Sequence, residues 1–340
     1  MRCTLGVDVG TSSTKGVLTA SDGTILATAT RAHDVSRPRT GWVELDAAIW
    51  WDEFADIARE LLAAQPDAEV AAVGVSGMGP CILLADENDE PVRPAILYGV
   101  DTRATAQIER ITSDLGVDEI TRVGGSVLTS QAGGPKIAWI AEEEPDAWAR
   151  ARRLFMPASW LARKLTGAYV LDHQSASQVS PLYDIENERW HAPFWGRYAT
   201  AIVQPRLAWA GDIAGAVTAQ ASEITGIPAG TPVITGTIDA WAEAASVGAL
   251  EVGDLMVMYG TTMFLIATTD ETHRSPSMWT TVGTVPGTRN LAGGLATSGA
   301  LTAWLRNLTG AEYPQLLEEA AASGPGANGL LMLPYFAGER

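Results

Sequence analysis

The chain has 340 residues, enough for two domains with ample core, and the absence of long apolar runs or a signal peptide predicts a soluble cytoplasmic protein without membrane attachment. A formal net charge of −17, from 23 Lys and Arg against 40 Asp and Glu, argues against a sequence-independent hold on nucleic acid or anionic lipid. The two cysteines, Cys3 and Cys81, exclude a disulfide framework and a zinc site built on cysteine spacing.

The first predicted element is a β-hairpin whose turn is rich in hydroxyl groups. An apolar run reaches Asp8, breaks at Gly10, and resumes after Lys15. Gly10 allows close approach of the backbone to a ligand, and donors for an anion follow at Thr11, Ser12 and Ser13. Lys15 adds positive charge, and Asp8 stands where Mg2+ would bridge a carboxylate and phosphate oxygens. A hairpin in which Asp8 only bonds turn amides is an equal alternative.

The next elements are a third strand at 25–30, a helix capped by Asp46, and a buried strand at 70–76. The glycine-rich turn at 77–80 follows that strand. It includes Met78 and Gly79, and it is a candidate ligand edge, because open α/β sheets bind ligands beyond the carboxyl ends of their strands. A plain hairpin remains the alternative.

A further strand at 94–98 leads to Asp101 and Arg103. Asp101 is predicted to cap a helix, and Arg103 either pairs with Asp101 or reaches a sugar hydroxyl. The segment 107–201 is predicted to be mostly helical, with Gln131 in a loop as either a pocket wall or a surface residue. The histidines show no partner pattern and receive no catalytic role: His33, His173, His191 and His273.

Two later stretches carry further candidate chemistry. A strand ends at Gly236, so Asp239 lies at the start of an Ala-rich helix, as an N-cap or as a base for a substrate hydroxyl. The stretch 255–266 repeats the opening pattern, with Gly260-Thr261-Thr262 between two apolar strands. Two phosphate-type hairpins suggest two related domains that face one nucleotide from opposite sides.

Together these stretches resemble the FGGY carbohydrate kinases, a branch of the actin/Hsp70-like ATPase superfamily. The similarity extends over nearly the whole chain, and the order of the motifs is its most specific feature. The matching segments are Asp8-Val9-Gly10-Thr11 with Lys15, Gly41-Trp42 through Trp50-Trp51, Asp101-Thr102-Arg103, Pro135-Lys136-Ile137-Ala138-Trp139, Leu165-Thr166-Gly167, Asp239, Gly260-Thr261-Thr262, and Leu333-Pro334-Tyr335-Phe336-Ala337-Gly338-Glu339-Arg340.

The resemblance implies an α/β, RNase H-like fold with two domains around a cleft, here expected at 1–246 and 247–340. It implies that Asp239 is the general base and that Asp8 helps to hold Mg2+. It also implies that Gly10-Thr11-Ser12 and Gly260-Thr261-Thr262 grip the phosphates of ATP, while the first domain binds most of the sugar. Closure of the cleft would keep water from the γ-phosphate.

The substrate wall is assigned by the same resemblance to six residues: Met78, Gly79, Asp101, Arg103, Gln131 and Asp239. Met78 matches part of the Gln-Met-His turn of xylulokinases, and glycerol kinases have a tyrosine at the position assigned to Gln131. A ketopentose such as xylulose is therefore preferred over glycerol. Ile238 departs from the family, which commonly has a glycine before the aspartate.

Family members continue past the Leu-Pro-Tyr-x-x-Gly-Glu-Arg segment, which predicts an incomplete second domain. Such a chain is expected to bind ATP poorly, to turn over little, and to expose apolar surface that favours a homodimer or aggregation. Two other readings stay open. One is another ATPase of the actin-like superfamily, and the other is a non-catalytic sugar-binding module.

Overall fold

A computed structural model describes residues 1–275, 277–333 and 335–336. The strands are β1 (Arg2–Val9), β2 (Ser13–Ala20), β3 (Ile25–Ala32), β4 (Glu44–Leu45), β5 (Glu69–Gly77), β6 (Leu83–Ala85), β7 (Ala95–Ile96), β8 (Arg153–Phe155), β9 (Val170–Asp172), β10 (Tyr183–Asp184), β11 (Arg189–Trp190), β12 (Arg206–Ala208), β13 (Ile213–Ala216), β14 (Pro232–Ile234), β15 (Thr237–Ile238), β16 (Leu255–Tyr259), β17 (Met263–Thr269), β18 (Trp279–Val282) and β19 (Arg289–Leu295).

The helices are α1 (Ala47–Ala64), α2 (Thr105–Leu115), α3 (Val117–Gly124), α4 (Gly133–Glu143), α5 (Pro145–Arg150), α6 (Pro157–Thr166), α7 (His173–Ser177), α8 (Ala192–Tyr198), α9 (Ala219–Thr225), α10 (Asp239–Ser246), α11 (Gly299–Thr309) and α12 (Tyr313–Ser323). A short 3-10 turn follows at Ala327–Gly329. No helix among the described residues is both long and apolar enough to cross a membrane.

The first large sheet has the order β13-β14-β5-β1-β2-β3, with β15 also paired to β5. Strands β1, β2 and β3 form the predicted antiparallel meander, and β5 runs parallel to β1. Strands β14 and β15 are parallel to β5 as well. The carboxyl ends of β1, β5 and β15 therefore meet at one edge of the sheet, which is where open α/β sheets bind ligands.

Helix α1 covers one face of this sheet. The Asp46 carboxylate accepts a hydrogen bond from Ala48 N at 2.9 Å, which confirms Asp46 as the N-cap. The apolar positions of the helix are spaced three and four residues apart and are buried: Trp50, Phe54, Ile57, Ala58 and Leu61. Burial of each large side chain of this kind contributes about 1.5–3 kcal/mol. The packing of α1 against the sheet holds β1 and β2 in place, and with them the first hairpin.

The second large sheet, of order β16-β17-β19-β18, is antiparallel. Its first two strands form the hairpin predicted around Gly260-Thr261-Thr262. Hydrogen bonds that join it to the first part of the chain include Trp241 Nε1 to Asn290 Oδ1 (3.0 Å), Thr280 N to Ser126 Oγ (2.7 Å), Val282 N to Ser177 Oγ (3.2 Å) and Arg289 Nη1 to Glu188 Oε1 (2.7 Å). The boundary at 246/247 and the pairing with a second copy stay predictions.

One sequence expectation about this fold is wrong. Asp101 does not cap a helix, because α2 begins at Thr105 with Ala104 as its N-cap residue. The Asp101 carboxylate instead accepts hydrogen bonds from the Val43 backbone N–H, at 2.6 Å, and from the Arg103 guanidinium. The closing motif of the resemblance lies partly outside the described residues, at positions 334 and 337–340.

Gly236 sets the sharp junction between β14 and β15. Its φ is +75°, and a Cβ there would overlap the Val75 carbonyl oxygen. We expect Gly236→Ala to lower the free energy of unfolding by more than the ~1–2 kcal/mol of the left-handed backbone alone. Urea unfolding measures this loss. Gly211→Ala is the matched control, because a Cβ at Gly211 meets open space and Gly211 has no positive φ. Equal effects of the two changes would contradict the prediction.

Candidate functional site

Two carboxylates meet at the sheet edge formed by β1, β5 and β15. Asp8 lies beside Ser76 in the β1–β5 register, and Ser76 lies beside Thr237 in the β5–β15 register. The Ser76 hydroxyl donates to Asp8 Oδ1 at 2.8 Å, and Asp239 follows β15 directly. Three adjacent strands thus bring together two residues that are far apart in the sequence.

Asp239 is half-buried at the first position of α10. Ile238 is the N-cap residue, and the Asp239 carboxylate accepts from its neighbour Ala240 N at 2.7 Å, so capping does not account for Asp239. Burial raises the pKa of Asp239 to about 7, and the negative charges of Asp8 and Glu243 add to the rise. A carboxyl that titrates near neutrality beside a cleft suits proton transfer.

Glu243 is a third carboxylate that sequence reasoning missed. It lies one helical turn after Asp239 on α10, a spacing that places both side chains on one face. Burial raises the pKa of Glu243, and Asp8 raises it further, while Lys15 opposes the change. The pKa of Asp8 is also raised, because the effect of burial exceeds the opposing effects of the Ser76 hydrogen bond and the Lys15 charge. Lys15 therefore lies close enough to Asp8 and Glu243 to stabilise their negative charges.

The first hairpin presents unpaired donors. Its turn is closed by Gly10 N–H, which donates to Ser13 O at 3.0 Å. Within the part of the chain that the structure describes, the backbone N–H groups of Thr11 and Ser12 donate to no protein acceptor. Ser12 is exposed, and Thr11 Oγ1 lies 3.0 Å from the Tyr98 hydroxyl. The turn can offer these N–H groups to an anion.

The second hairpin has a similar turn that is one residue shorter. Gly260 N–H donates to Thr262 O at 2.9 Å, and the turn is exposed. The start of α11 holds its carbonyl groups: Gly299 N donates to Gly260 O (2.8 Å) and Ser298 N donates to Thr261 O (3.0 Å). The carbonyl oxygens are thereby held by the protein, which leaves the N–H side of the turn to a ligand.

Two adjoining cavities lie between the sheets. The smaller, of about 200 Å³, is lined by Asp239 together with Gly79, Tyr98, Gln131, Ile238, Ala240, Trp241, Met258, Phe264 and Trp279. The larger, of about 400 Å³, shares Tyr98, Phe264 and Trp279 and reaches Thr262 of the second hairpin. Tyr98 also contacts Thr11 of the first hairpin. The second hairpin therefore borders the larger cavity at Thr262, and the first hairpin adjoins both cavities through the contact of Thr11 with Tyr98.

Gln131 and Gly79 form one wall of the smaller cavity. Gln131 Oε1 accepts from Gly99 N at 3.0 Å, and its Nε2 donates to Gly79 O at 3.3 Å. A Cβ at Gly79 would overlap the Ile238 side chain. Ile238, which departs from the family pattern, thus packs over a glycine that leaves room for it.

Lys136 supports that wall from behind, and sequence reasoning gave it no role beyond the motif. Its Nζ is buried and donates to Tyr98 O at 2.9 Å and Ser130 O at 2.6 Å. Burial lowers the pKa of Lys136 to about 8. The residue joins the loop before Arg103 to the loop that carries Gln131.

The structure places three residues assigned to the substrate wall away from both cavities, and Arg103 pairs with Asp101, which was one of its two predicted roles. The side chains of Asp101 and Arg103 have 0% exposure and form a buried ion pair at 2.7 Å. Arg103 also pairs with Glu44 and lies between the Trp42 and Trp139 rings, at 4.2 and 5.0 Å from their centroids. Met78 is 1% exposed and belongs to the hydrophobic core under the sheet. None of these three side chains reaches the cavities.

The donor set fits the phosphates of a nucleotide better than an all-protein metal site. Among the described residues, no group of three or more His, Cys, Asp or Glu side chains is arranged to hold a metal ion. Mg2+ commonly takes one or two carboxylates together with substrate phosphates and water. Asp8 suits that role, because Ser76 occupies one of its oxygens and the side chain is half-buried at the sheet edge.

The comparisons with known proteins agree with this geometry. Residues 3–248 match the profile of the FGGY family of carbohydrate kinases, N-terminal domain. The chain is 28% identical to a xylulose kinase of Lactococcus lactis subsp. lactis (strain IL1403), over 100% of this chain and 68% of the relative. It is also 28% identical to a glycerol kinase of Janthinobacterium sp. (strain Marseille), over 98% of this chain and 69% of the relative.

Among solved structures, xylulose kinase from Rhodospirillum rubrum superposes with a TM-score of 0.92 at 29% identity, covering 99% of this chain and 70% of that one. The fold is thus the actin/Hsp70-like ATPase fold expected from the motifs. Since the family profile spans well over half of the residues, the chain belongs to the FGGY family of carbohydrate kinases, phosphotransferases that act on small sugars or polyols.

Proposed function

We propose that this protein transfers the γ-phosphate of ATP to a hydroxyl of a ketopentose such as xylulose. The observation that carries the proposal is the position of Asp239, which lines a cavity that shares Tyr98 with the larger cavity at the second hairpin and whose Tyr98 contacts the first hairpin; the pKa of Asp239 is raised to about 7. Free thiols at Cys3 and Cys81 fit the reducing cytoplasm. We assign residues 1–246 to the sugar-binding domain and 247–340 to the nucleotide side.

Asp239 accepts the proton of the attacking hydroxyl in this proposal. The sugar oxygen forms a bond to the γ-phosphorus while the bond from that phosphorus to the bridging oxygen of ADP breaks, and ADP leaves with the electron pair. The proton stays on the Asp239 carboxyl until it passes to solvent. The ionised form of Asp239 is the active one, so the reaction needs a pH near or above the raised pKa.

The hairpins hold the phosphates. The backbone N–H groups of Thr11 and Ser12, with the hydroxyls of Ser12 and Ser13, bind from one side, and Gly260-Thr261-Thr262 binds from the other. Lys15 supplies positive charge, and Asp8 would hold Mg2+, which neutralises charge on the phosphates when bound. Phe264 and Trp279 line the cavity together with Asp239, and their apolar rings reduce the access of water to the γ-phosphate.

The sugar is proposed to lie in the cavity of about 200 Å³ beside Gly79 and Gln131. The amide of Gln131 can exchange its contacts with backbone groups for contacts with sugar hydroxyls. Glycerol kinases have a tyrosine at the matching position, which favours a pentulose over glycerol here. A neutral amide on the wall also suits an uncharged sugar.

We expect Gln131→Ala to weaken D-xylulose binding about tenfold, because one or two hydrogen bonds to the sugar are lost. Calorimetric titration with D-xylulose measures the Kd. Gln178→Ala is the control, because Gln178 is a buried amide of the neighbouring loop that does not line the cavity with Asp239. The assignment of Gln131 fails if both variants bind the sugar as the unchanged protein does.

The proposed function is tested by ADP release in the presence of ATP, Mg2+ and a panel of D-xylulose, D-ribulose, glycerol and D-gluconate. We expect release to depend on the sugar and to be fastest with a pentulose. Release that does not respond to any sugar would identify an ATPase of another type. Sugar binding without any effect of nucleotide would identify a non-catalytic binding module. Either result would overturn the proposal.

A further inference from the structure

A buried histidine and glutamate lie behind the first hairpin. His33 follows β3, and its side chain is 4% exposed. Its Nε2 is 3.1 Å from the Gly10 carbonyl oxygen, and its Nδ1 is 2.9 Å from Glu53 Oε2 on α1. The His33 backbone N–H also donates to Ser12 O at 3.0 Å. His33 therefore binds two carbonyl groups in the turn of the first hairpin, those of Gly10 and Ser12.

Both ring nitrogens of His33 face acceptor oxygens. A carbonyl oxygen can only accept, so the ring nitrogen that faces Gly10 O, Nε2, acts there as the donor. Glu53 orients the ring in this arrangement, and α1 provides a rigid base for Glu53 because its apolar face is packed in the core. The pair is thus a fixed donor aimed at Gly10.

In the second hairpin, a backbone N–H group takes the place that the His33 ring has in the first hairpin. There the carbonyl of the equivalent glycine, Gly260, accepts from Gly299 N at 2.8 Å, at the start of α11. Both turns have a glycine N–H that closes the turn, a glycine carbonyl held from outside, and following N–H groups for which the described residues supply no acceptor. A carbonyl oxygen turned towards phosphate would repel it, so holding the carbonyl away keeps the N–H groups available.

We propose that His33, oriented by Glu53, is a positioning residue that holds the Gly10 carbonyl away from the nucleotide phosphates. The inference rests on the proposed function, since it takes the first hairpin as a phosphate site. In this proposal His33 binds the glycine carbonyl of the first hairpin, as the start of α11 binds the glycine carbonyl of the second hairpin. His33 does not contact the reacting atoms and is not a catalytic residue.

The test compares two replacements that differ in which donor they keep. Glutamine places its Nε2 near the position of histidine Nε2, whereas asparagine places its Nδ2 near that of Nδ1. His33→Gln therefore keeps the donor to Gly10, and His33→Asn keeps the donor to Glu53. Calorimetry with Mg2+ and AMP-PNP measures nucleotide binding, and D-xylulose is titrated separately.

We expect His33→Asn to weaken AMP-PNP binding about tenfold and His33→Gln to stay within about threefold of the unchanged protein. Sugar affinity should not change in either variant. His191→Phe is the control, since this half-buried histidine packs on Phe194 in the helical region. If His33→Asn fails to fold in thermal unfolding, Glu53→Leu tests the same pair and should weaken AMP-PNP binding threefold or more.

The outcomes separate this inference from the proposed function. Binding of AMP-PNP by the unchanged protein, with equal affinity in His33→Asn and His33→Gln, would overturn the role of His33 alone. Equal loss of nucleotide and sugar affinity would show a general structural role and would also overturn it. Absence of AMP-PNP binding by the unchanged protein would remove the proposed function, and the inference with it.

Discussion

Replacing Asp239 with asparagine is expected to lower the rate of phosphoryl transfer by about 10²–10⁴-fold, the usual contribution of a positioned general base. Asparagine keeps the shape of the side chain but cannot accept the hydroxyl proton. Single-turnover transfer from ATP to D-xylulose, with protein in excess, measures the rate. Sugar affinity by calorimetry should stay within about threefold, because the change removes a charge and not the cavity.

The pH dependence follows from the raised pKa of Asp239. Below about pH 7 the carboxyl is protonated and cannot act as a base, so the rate should rise with pH and level off above that value. Asp8→Asn removes the negative charge that contributes most to raising this pKa, and should shift the rise to lower pH. A flat profile between pH 5.5 and 8.5 in the unchanged protein would contradict the role of Asp239.

Stability provides an independent check on the same carboxyl. In the unfolded chain it titrates near 3.9, so between about pH 4 and pH 7 the folded chain binds the extra proton. The free energy of unfolding therefore falls as pH rises through this window. Asp239→Asn should raise Tm at pH 8 and leave it nearly unchanged at pH 4. Asp146→Asn, at an exposed position of α5, should do neither.

Replacing Arg103 with methionine is expected to lower the free energy of unfolding by about 3–5 kcal/mol, because it leaves the buried carboxylate of Asp101 without its cation. It also removes the guanidinium that lies between the Trp42 and Trp139 rings. Urea unfolding measures the change. Arg197→Met is the matched control, since the ion pair of Arg197 with Asp114 is exposed and should contribute no more than ~1 kcal/mol.

This second prediction also decides between a structural and a substrate role for Arg103. In the structural role, Arg103→Met protein that is still folded binds D-xylulose with unchanged affinity. A large loss of sugar affinity with a small loss of stability would show that Arg103 contributes to sugar binding, and would contradict the structural role inferred from its burial.

The sequence predicted the elements whose chemistry is local. The first hairpin, the Asp46 cap and the Gly260-Thr261-Thr262 hairpin follow from residue order alone, because turn glycines and apolar alternation act over a few residues. The convergence of Asp8 and Asp239 on one edge is visible only in the sheet, where β5 lies between β1 and β15. The family resemblance supplied that topology before the structure did.

The errors arose where long-range contacts override local signals. An aspartate two residues before an arginine resembles a cap or a sugar contact, but Val43 N, Glu44 and two tryptophan rings draw the Asp101–Arg103 pair into the core. Met78 was placed by a motif, whereas its side chain points under the sheet. His33 showed no partner pattern in the sequence because its partners, Gly10 and Glu53, are 23 and 20 residues away.

The most direct test follows the labelled phosphate in a single turnover of the unchanged protein with [γ-32P]ATP, Mg2+ and D-xylulose. With the protein in excess over ATP, a single turnover converts a measurable fraction of the labelled ATP even when the reaction is slow. We predict that the label appears on the pentulose and that omission of the sugar leaves ATP intact. Label released to water at the same rate with or without sugar, or no label on any sugar of the panel, would contradict the account.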